Sequence, residues 1–426
     1  MLTLLRFSIT RSARAQLSCL YAIITTVTLA GCQQPELGER EKKRLLSLGI
    51  QALPAAEDHS NRYSTDPRAQ QFGKQLFFSP ALSASGTVSC ATCHMPEKGF
   101  TDGLARAAAK HHQADEQPQL RNTPTVVGSA WSTWQYWDGR RDSLWSQALT
   151  PLEAPLEMAT NRVALVRLLL NEDRFRTPYE KIFGPLNINA ADLTTDATPM
   201  GSQTEKREWY ALPKPLQTTI NTVFSNLGKA LAAYQSTLKP PATRFDQFLQ
   251  AIANGESYAT RLSKQEYAGA RLFVNDKKTQ CLECHNGPLL SNNDFHHIGS
   301  ATFTGDNIDF GRVLGVQAAM IDEFNCHGRY SDARQDQCQH LNFMNRNDLV
   351  HTQGGFKTPT LRNVANTAPY FHDGRFPTLE SVIRHYLTVP ATDIQTEIRD
   401  FPLTDNEVDA LVAFMNTLTT PDTAKP

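Results

Sequence analysis

The sequence has no surplus of charge in either sense: 42 basic residues stand against 43 acidic ones, a formal net charge of −1. A chain without a basic excess lacks the electrostatic footprint of a nucleic-acid binder, so no nucleic-acid partner is expected. Cysteine is also scarce. Eight cysteines in 426 residues are too few for a disulfide scaffold, so a hydrophobic core has to hold the fold. The length allows two or three domains at roughly 100–200 residues each. A long apolar run is missing too. Residues 17–30 are mainly apolar but short and threonine-rich, which argues against a membrane-spanning helix.

What is there begins with a targeting segment. Arg6, Arg11 and Arg14, with no acid nearby, precede the apolar stretch, and Leu29-Ala30-Gly31-Cys32 follows it. Small residues ahead of a cysteine have the form of a bacterial lipoprotein signal. Residues 1–31 are therefore expected to be a lipoprotein signal peptide, with Cys32 lipidated and anchoring the chain to a membrane. An ordinary signal peptide or an uncleaved anchor helix stays open as the alternative. Gln33 is not the aspartate of an inner-membrane retention signal, so the expected location is the periplasm, anchored to the outer membrane. Removing the segment takes away three arginines and no acid. The mature chain is then slightly acidic, which can steer basic partners at low salt.

Cys19 leaves with the signal and Cys32 goes to the lipid. Of the other six cysteines, four lie in two C-x-x-C-H pentads, Cys90-Ala91-Thr92-Cys93-His94 and Cys281-Leu282-Glu283-Cys284-His285. Two thiols three residues apart reach the two haem vinyl groups from one helical turn, and the adjacent histidine meets the iron as proximal ligand. Two such pentads in an exported chain predict two covalently bound c-type haems. A zinc reading would need paired ligands at short spacing elsewhere, and none stand out. Cys326 and Cys338 remain. In an oxidising compartment they are expected to pair, a bond worth roughly 3 kcal/mol by chain entropy; two free thiols are the alternative.

The two haem regions repeat each other. Gly73-Lys74-Gln75-Leu76-Phe77 precedes the first pentad, and Gly269-Ala270-Arg271-Leu272-Phe273 precedes the second. Thr123-Pro124-Thr125 is followed fifteen residues later by Asp138-Gly139-Arg140, and Thr358-Pro359-Thr360 fifteen residues later by Asp373-Gly374-Arg375. Helical periodicity at Val163–Leu169, Leu227–Tyr234 and Val408–Phe414 adds to an all-α, mainly helical reading: two cytochrome-c-like haem domains related by internal duplication. Residues 32–61 are expected to be a linker, 62–240 and 241–420 the two haem domains with a junction near Pro240-Pro241, and 421–426 a tail. The polar, proline-punctuated stretch 187–215 reads as a loop. The second repeat is longer: 73 residues separate His285 from Thr358, against 29 between His94 and Thr123. The excess, rich in Asn, Asp and Gly, holds Cys326 and Cys338 and reads as a disulfide-stapled surface loop, with His327 and His340 as surface residues.

Equivalent positions differ in chemistry. Before D-G-R stands Trp137 in one repeat and His372 in the other; fourteen residues on stand Pro151 and Tyr386. Tyrosinate is a haem ligand type and proline is not. The second haem is thus expected to be capped by Tyr386 and the first to be open to an outside ligand such as hydrogen peroxide. Gln147 and Glu157 flank Pro151, and a carboxylate there has the chemistry to move a proton between peroxide oxygens; a solvated acid beside a helix start is the alternative for Glu157.

Five segments, starting at Cys90 (C-A-T-C-H-M-P-E-K-G-F-T-D-G), Arg121 (R-N-T-P-T-V), Tyr136 (Y-W-D-G-R), Pro151 (P-L-E-A-P-L-E-M) and Lys357 (K-T-P-T-L-R-N-V-A-N-T-A-P-Y-F-H-D-G-R), resemble the bacterial dihaem cytochrome c peroxidase and MauG family across nearly all of the mature chain. The resemblance implies a peroxidatic first haem with His94 proximal, Gln147, Pro151 and Glu157 on the distal side, and Glu157 as acid/base. It implies an electron-transfer second haem on His285, with Trp137 between the haems helping electrons cross. It implies a calcium ion between the domains, touching Asn122, Thr367 and the Pro369 carbonyl. Many members carry methionine where Tyr386 stands; tyrosine there is MauG-like, and Met344 is the alternative ligand. Members often close the first haem with a loop histidine; His111 and His112 sit in the corresponding loop without a clean fit.

The function this implies is two-electron reduction of hydrogen peroxide, with a small c-type cytochrome or cupredoxin as donor. A MauG-like oxidation of a partner protein is the first alternative, and a non-enzymatic dihaem electron carrier the second.

Overall fold

The computed structural model describes residues 35–107, 121–193, 195–300, 303–304, 307–344, 352–389 and 396–420. The signal segment, Cys32, His111, His112 and the tail lie outside the described residues. The fold is mainly helical, and its strands, among the described residues, are confined to two two-stranded antiparallel ribbons.

Two large hydrophobic cores organise it. One gathers Phe72, Trp145, Leu149, Val166, Phe224 and Leu231; the other gathers Phe245, Phe248, Phe273, Leu411 and Phe414. Each is built around a close helix crossing. The Pro67–Phe77 helix starts where the Asp66 carboxylate accepts from the Arg68 N–H, with Pro67 in its first turn. It crosses the Lys214–Gln235 helix so closely that a Cβ on Gly73 would stand 1.8 Å from the Ala230 carbonyl oxygen. The Lys264–Phe273 helix, opened by a Ser263–Glu266 capping box, crosses the Asp405–Thr417 helix in the same way, with Gly269 at 1.8 Å from the Ala410 oxygen. The glycine of each G-x-x-L-F segment is thus the point of backbone contact, where no larger residue fits.

Three segments depart from the sequence reading. The stretch expected as a linker carries the Glu39–Leu46 helix, and Leu45 and Leu48 insert into the second core. The stretch read as loop contains the Gln203–Ala211 helix, begun by a Ser202–Glu205 capping box that offsets its weak apolar pattern. The long insertion does contain the Cys326–Cys338 disulfide, but it is not simply a surface loop. Its Arg312–Ile321 helix packs on the first repeat, with Gly315 placed so that a Cβ would stand 1.9 Å from the Asp138 carbonyl oxygen. His340 is likewise not a surface group: its Nε2 pairs with buried Asp142 at 3.2 Å and its ring stands edge-on to Trp134. His327 is exposed, as expected.

Candidate active site

Each C-x-x-C-H pentad forms one helical turn, Cys90–Cys93 and Cys281–Cys284, and each is closed by the histidine N–H donating to the first cysteine's carbonyl at 2.9 Å. The imidazoles are then pinned alike. His94 Nδ1 lies 3.1 Å from the Phe100 carbonyl, and His285 Nδ1 lies 2.9 Å from the Leu290 carbonyl. Both accepting carbonyls sit on left-handed backbone, φ 61° at Phe100 and 49° at Leu290, a conformation that non-glycine residues adopt only where surrounding structure compels it. With Nδ1–H committed to a carbonyl, Nε2 keeps its lone pair for a metal. Burial favours the neutral ring in both, lowering His94 and bringing His285 down to about 4.

None of the four pentad cysteines is in a disulfide. Burial pushes Cys90 up to about 12 and Cys281 up to about 11, so they are uncharged. Both pentads open onto one continuous cavity. Two thiols on one helical turn, beside an imidazole aimed by its neighbouring carbonyl in each pentad, fit covalently held haem.

Two capped helices present their faces to the cavity. The Leu144–Glu153 helix, capped by Ser143, turns Leu144, Gln147 and Pro151 toward it and buries Trp145, Leu149 and Leu152 in the core. The Leu379–Thr388 helix, capped by Thr378, presents Leu379, Val382 and Tyr386 at the same offsets. Pro151 and Tyr386 therefore occupy corresponding places, one per pentad. Burial raises the Tyr386 hydroxyl well above the ordinary phenol range, and the nearby Cys281 and Cys284 raise it further. Met344, the alternative ligand, instead packs by the disulfide with its sulfur accepting from Arg312 at 3.4 Å, away from the cavity.

Glu157 follows the first helix on a turn whose N–H donates to Ala154 at 3.0 Å, and it lines the cavity. Its charge reaches Cys90 and Tyr136, raising both groups after burial has done most of that work. Tyr136 is held at φ 69° beneath the Arg140 guanidinium, 3.4 Å from its ring centre.

Trp137 lines the same cavity, and its indole N–H donates to the Asn122 carbonyl at 2.9 Å. Asn122 in turn donates its N–H to the His372 carbonyl at 2.6 Å. His372 stacks on Phe356 with centroids 3.6 Å apart. Arg121 joins Asp138 at 2.6 Å to Asp309 at 2.7 Å. Asn122, Thr367 and Pro369 all line the same cavity.

No local pattern around Arg312 marks it as a clamp. Its guanidinium donates to the Asp138 and Gly139 carbonyls at 3.1 and 2.8 Å and lies over the Trp134 and Phe295 rings. Lys357, which lines the cavity, was also passed over, because a lone lysine before T-P-T has no motif of its own.

Residues 67–254 match the family described as di-haem cytochrome c peroxidase. A cytochrome-c peroxidase of Denitromonas iodatirespirans is 30% identical over 357 residues, covering 81% of this chain and 80% of that one. The methylamine utilization protein MauG of Methylorubrum extorquens is 29% identical over 367 residues, 86% and 82% of the two chains. Among solved structures, the diheme peroxidase of Burkholderia thailandensis superposes with a TM-score of 0.61 at 22% identity, covering 84% of this chain and 87% of its own, a likeness of fold. These relationships set aside the bare electron-carrier reading. The chain belongs to the dihaem cytochrome c peroxidase and MauG family, and it is a peroxidase-type oxidoreductase that carries two c-type haems.

Proposed function

We propose that the chain reduces hydrogen peroxide to water at the haem held by Cys90, Cys93 and His94, using electrons delivered through the haem held by Cys281, Cys284 and His285. The observation that carries this is the inequality of the two helix faces: Pro151 offers the first site no ligand, while Tyr386 stands at the corresponding place in the second. The haem that Cys90, Cys93 and His94 would hold would supply the capacity for two-electron chemistry. The protein's part is proton handling and exclusion of water. Glu157 accepts the proton from the near peroxide oxygen and returns it to the leaving oxygen. Gln147, one helical turn before Pro151, would orient the peroxide by a hydrogen bond from its side-chain amide. Trp137 lies on the route by which electrons cross. A calcium ion on Asn122, Thr367 and the Pro369 carbonyl, an all-oxygen set of the kind calcium prefers, ties the halves together.

The protein works in the periplasm, anchored by lipid at Cys32, more specifically to the outer membrane, and takes electrons from a small c-type cytochrome or cupredoxin. Tyr386 favours a second reading, in which the reductant is an oxidisable side chain of a partner protein. Peroxide consumption with a reduced small cytochrome c as sole donor separates the two: rapid turnover supports the peroxidase, and consumption only when a protein substrate is supplied supports the second.

A further inference from the structure

We propose that Lys357 is an anchor for a haem carboxylate, its ammonium holding a propionate of the haem attached at Cys90 and Cys93. The inference rests on that haem occupying the cavity, and on nothing about the donor or the reductant.

Four other cations withdrawn from solvent are paired with acids. Lys229 meets Asp332 at 2.7 Å, Arg162 meets Glu153 at 2.7 Å, Arg362 meets Asp246 at 2.6 Å and Arg121 meets Asp309 at 2.7 Å. Each of these four cations is given a carboxylate, as the cost of desolvating a charge requires, and buried Arg312 is met instead by two carbonyls and two aromatic rings. Lys357 has neither arrangement. Its Nζ donates to the Ser132 hydroxyl at 3.0 Å, and among the described residues no carboxylate pairs with it. Burial brings the amine down to about 8, and no acid among the described residues offsets that shift. A neutral hydroxyl is a poor counterpart for a buried ammonium.

What the chain omits, the ligand supplies. Lys357 lines the cavity onto which both pentads open, and a haem carries two propionate carboxylates on the edge opposite part of its vinyl attachment. Direction decides which haem. The backbone of Lys357 belongs to the second half, but its N–H donates to the Trp137 carbonyl at 2.8 Å and its Nζ reaches Ser132. The side chain therefore crosses to Ser132 in the first half, the half that carries the Cys90–His94 pentad. The corresponding residue of the other half is Asn122, an amide whose Nδ2 is spent on the Leu104 carbonyl at 2.7 Å. The ammonium is thus present at one of two matched places, and one haem gains a cation that the other lacks.

A cation beside a haem edge favours the ferrous over the ferric state, because the reduced centre carries one positive charge fewer. The test is a spectroscopic redox titration of the full holoprotein as wild type, Lys357→Met and Lys357→Arg. In Lys357→Met the midpoint potential of one haem is expected to fall, by the equivalent of about a tenfold change in the ferric-to-ferrous ratio (about 59 mV for one electron), while the other holds. Lys357→Arg keeps the charge and is expected to track the wild type. If Lys357→Met fails to mature with both haems, the proposal stands only if Lys357→Arg matures and titrates like the wild type. Unchanged potentials in Lys357→Met, equal shifts of both haems, or an arginine variant as defective as the methionine variant would each overturn it. Peroxide turnover does not enter the readout, so failure here and failure of the peroxidase reading are separate results.

Discussion

The main-chain N–H of Lys357 donates to the carbonyl of Trp137 at 2.8 Å, and the N–H of Asn122 donates to the carbonyl of His372 at 2.6 Å. Asn122 and Lys357 each stand directly before Thr-Pro, and Trp137 and His372 each stand directly before Asp-Gly-Arg. The same bond therefore occurs twice, with the two halves exchanging roles. Trp137 is held at both ends, its carbonyl by Lys357 and its indole by the Asn122 carbonyl. A ring fixed in this way would lose little to reorganisation if charge passed it.

Trp137→Phe keeps most of the ring and removes the donor to Asn122. Haem content and helical signal should stay as in the wild type, while equilibration of electrons between the haems slows. Stopped-flow spectra of the half-reduced protein mixed with peroxide check this. Unchanged transfer with the phenylalanine would place the route elsewhere.

Glu157→Gln keeps the shape of the distal wall and removes its proton carrier. Peroxide turnover should fall by about 10²- to 10⁴-fold, the usual worth of a positioned acid–base group, with both haem spectra intact. Since the carboxylate acts on bound peroxide, the loss should appear in kcat as well as in kcat/KM. A loss confined to KM would point to substrate entry instead.

How much of this could be read from the chain follows from the range of each interaction. C-x-x-C-H is local, so the two haem turns were legible, and fixed offsets within one helix were enough to set Pro151 and Tyr386 in matching places. The helix around Leu231 and that around Phe414 showed their apolar period. The Gln203–Ala211 helix did not, and only its Ser202–Glu205 box marked it. The contacts that join the halves were invisible for a different reason. Arg312 on the Gly139 carbonyl, His340 on Asp142 and Lys357 on Trp137 each span more than 170 residues and leave no periodic trace.

Tyr386→Phe tests the cap on the second iron. Burial disfavours the tyrosinate in the protein alone, so a metal is needed to draw off its proton. Replacing it should abolish one low-spin ferric signal in electron paramagnetic resonance, and Tyr386→Met should raise the potential of that haem, thioether being the softer donor. A spectrum unchanged by Tyr386→Phe would rule out tyrosine ligation.

Arg121→Met tests how the insertion is tied to the first half. Arg121 bridges Asp138 and Asp309. Burial works to raise both carboxyl groups, but Arg140 and Arg121 outweigh it at Asp138 and Arg121 does so at Asp309, so both titrate below the ordinary range. Folded values lower than unfolded ones mean that the unfolded chain binds protons first. The stabilisation is therefore complete above about pH 4, the unfolded carboxylate value, and disappears as pH falls through the folded values. Asp138 keeps Arg140 at 3.2 Å in the variant, whereas Asp309 is left buried without its main cation, so the loss near neutrality should lie at the low end of the range for a broken buried pair, about 3 kcal/mol. Thermal melts from pH 7 to pH 3 should show the two proteins far apart at neutrality and converging in acid. A gap that stays constant across that range would mean that Arg121 contributes packing and not charge.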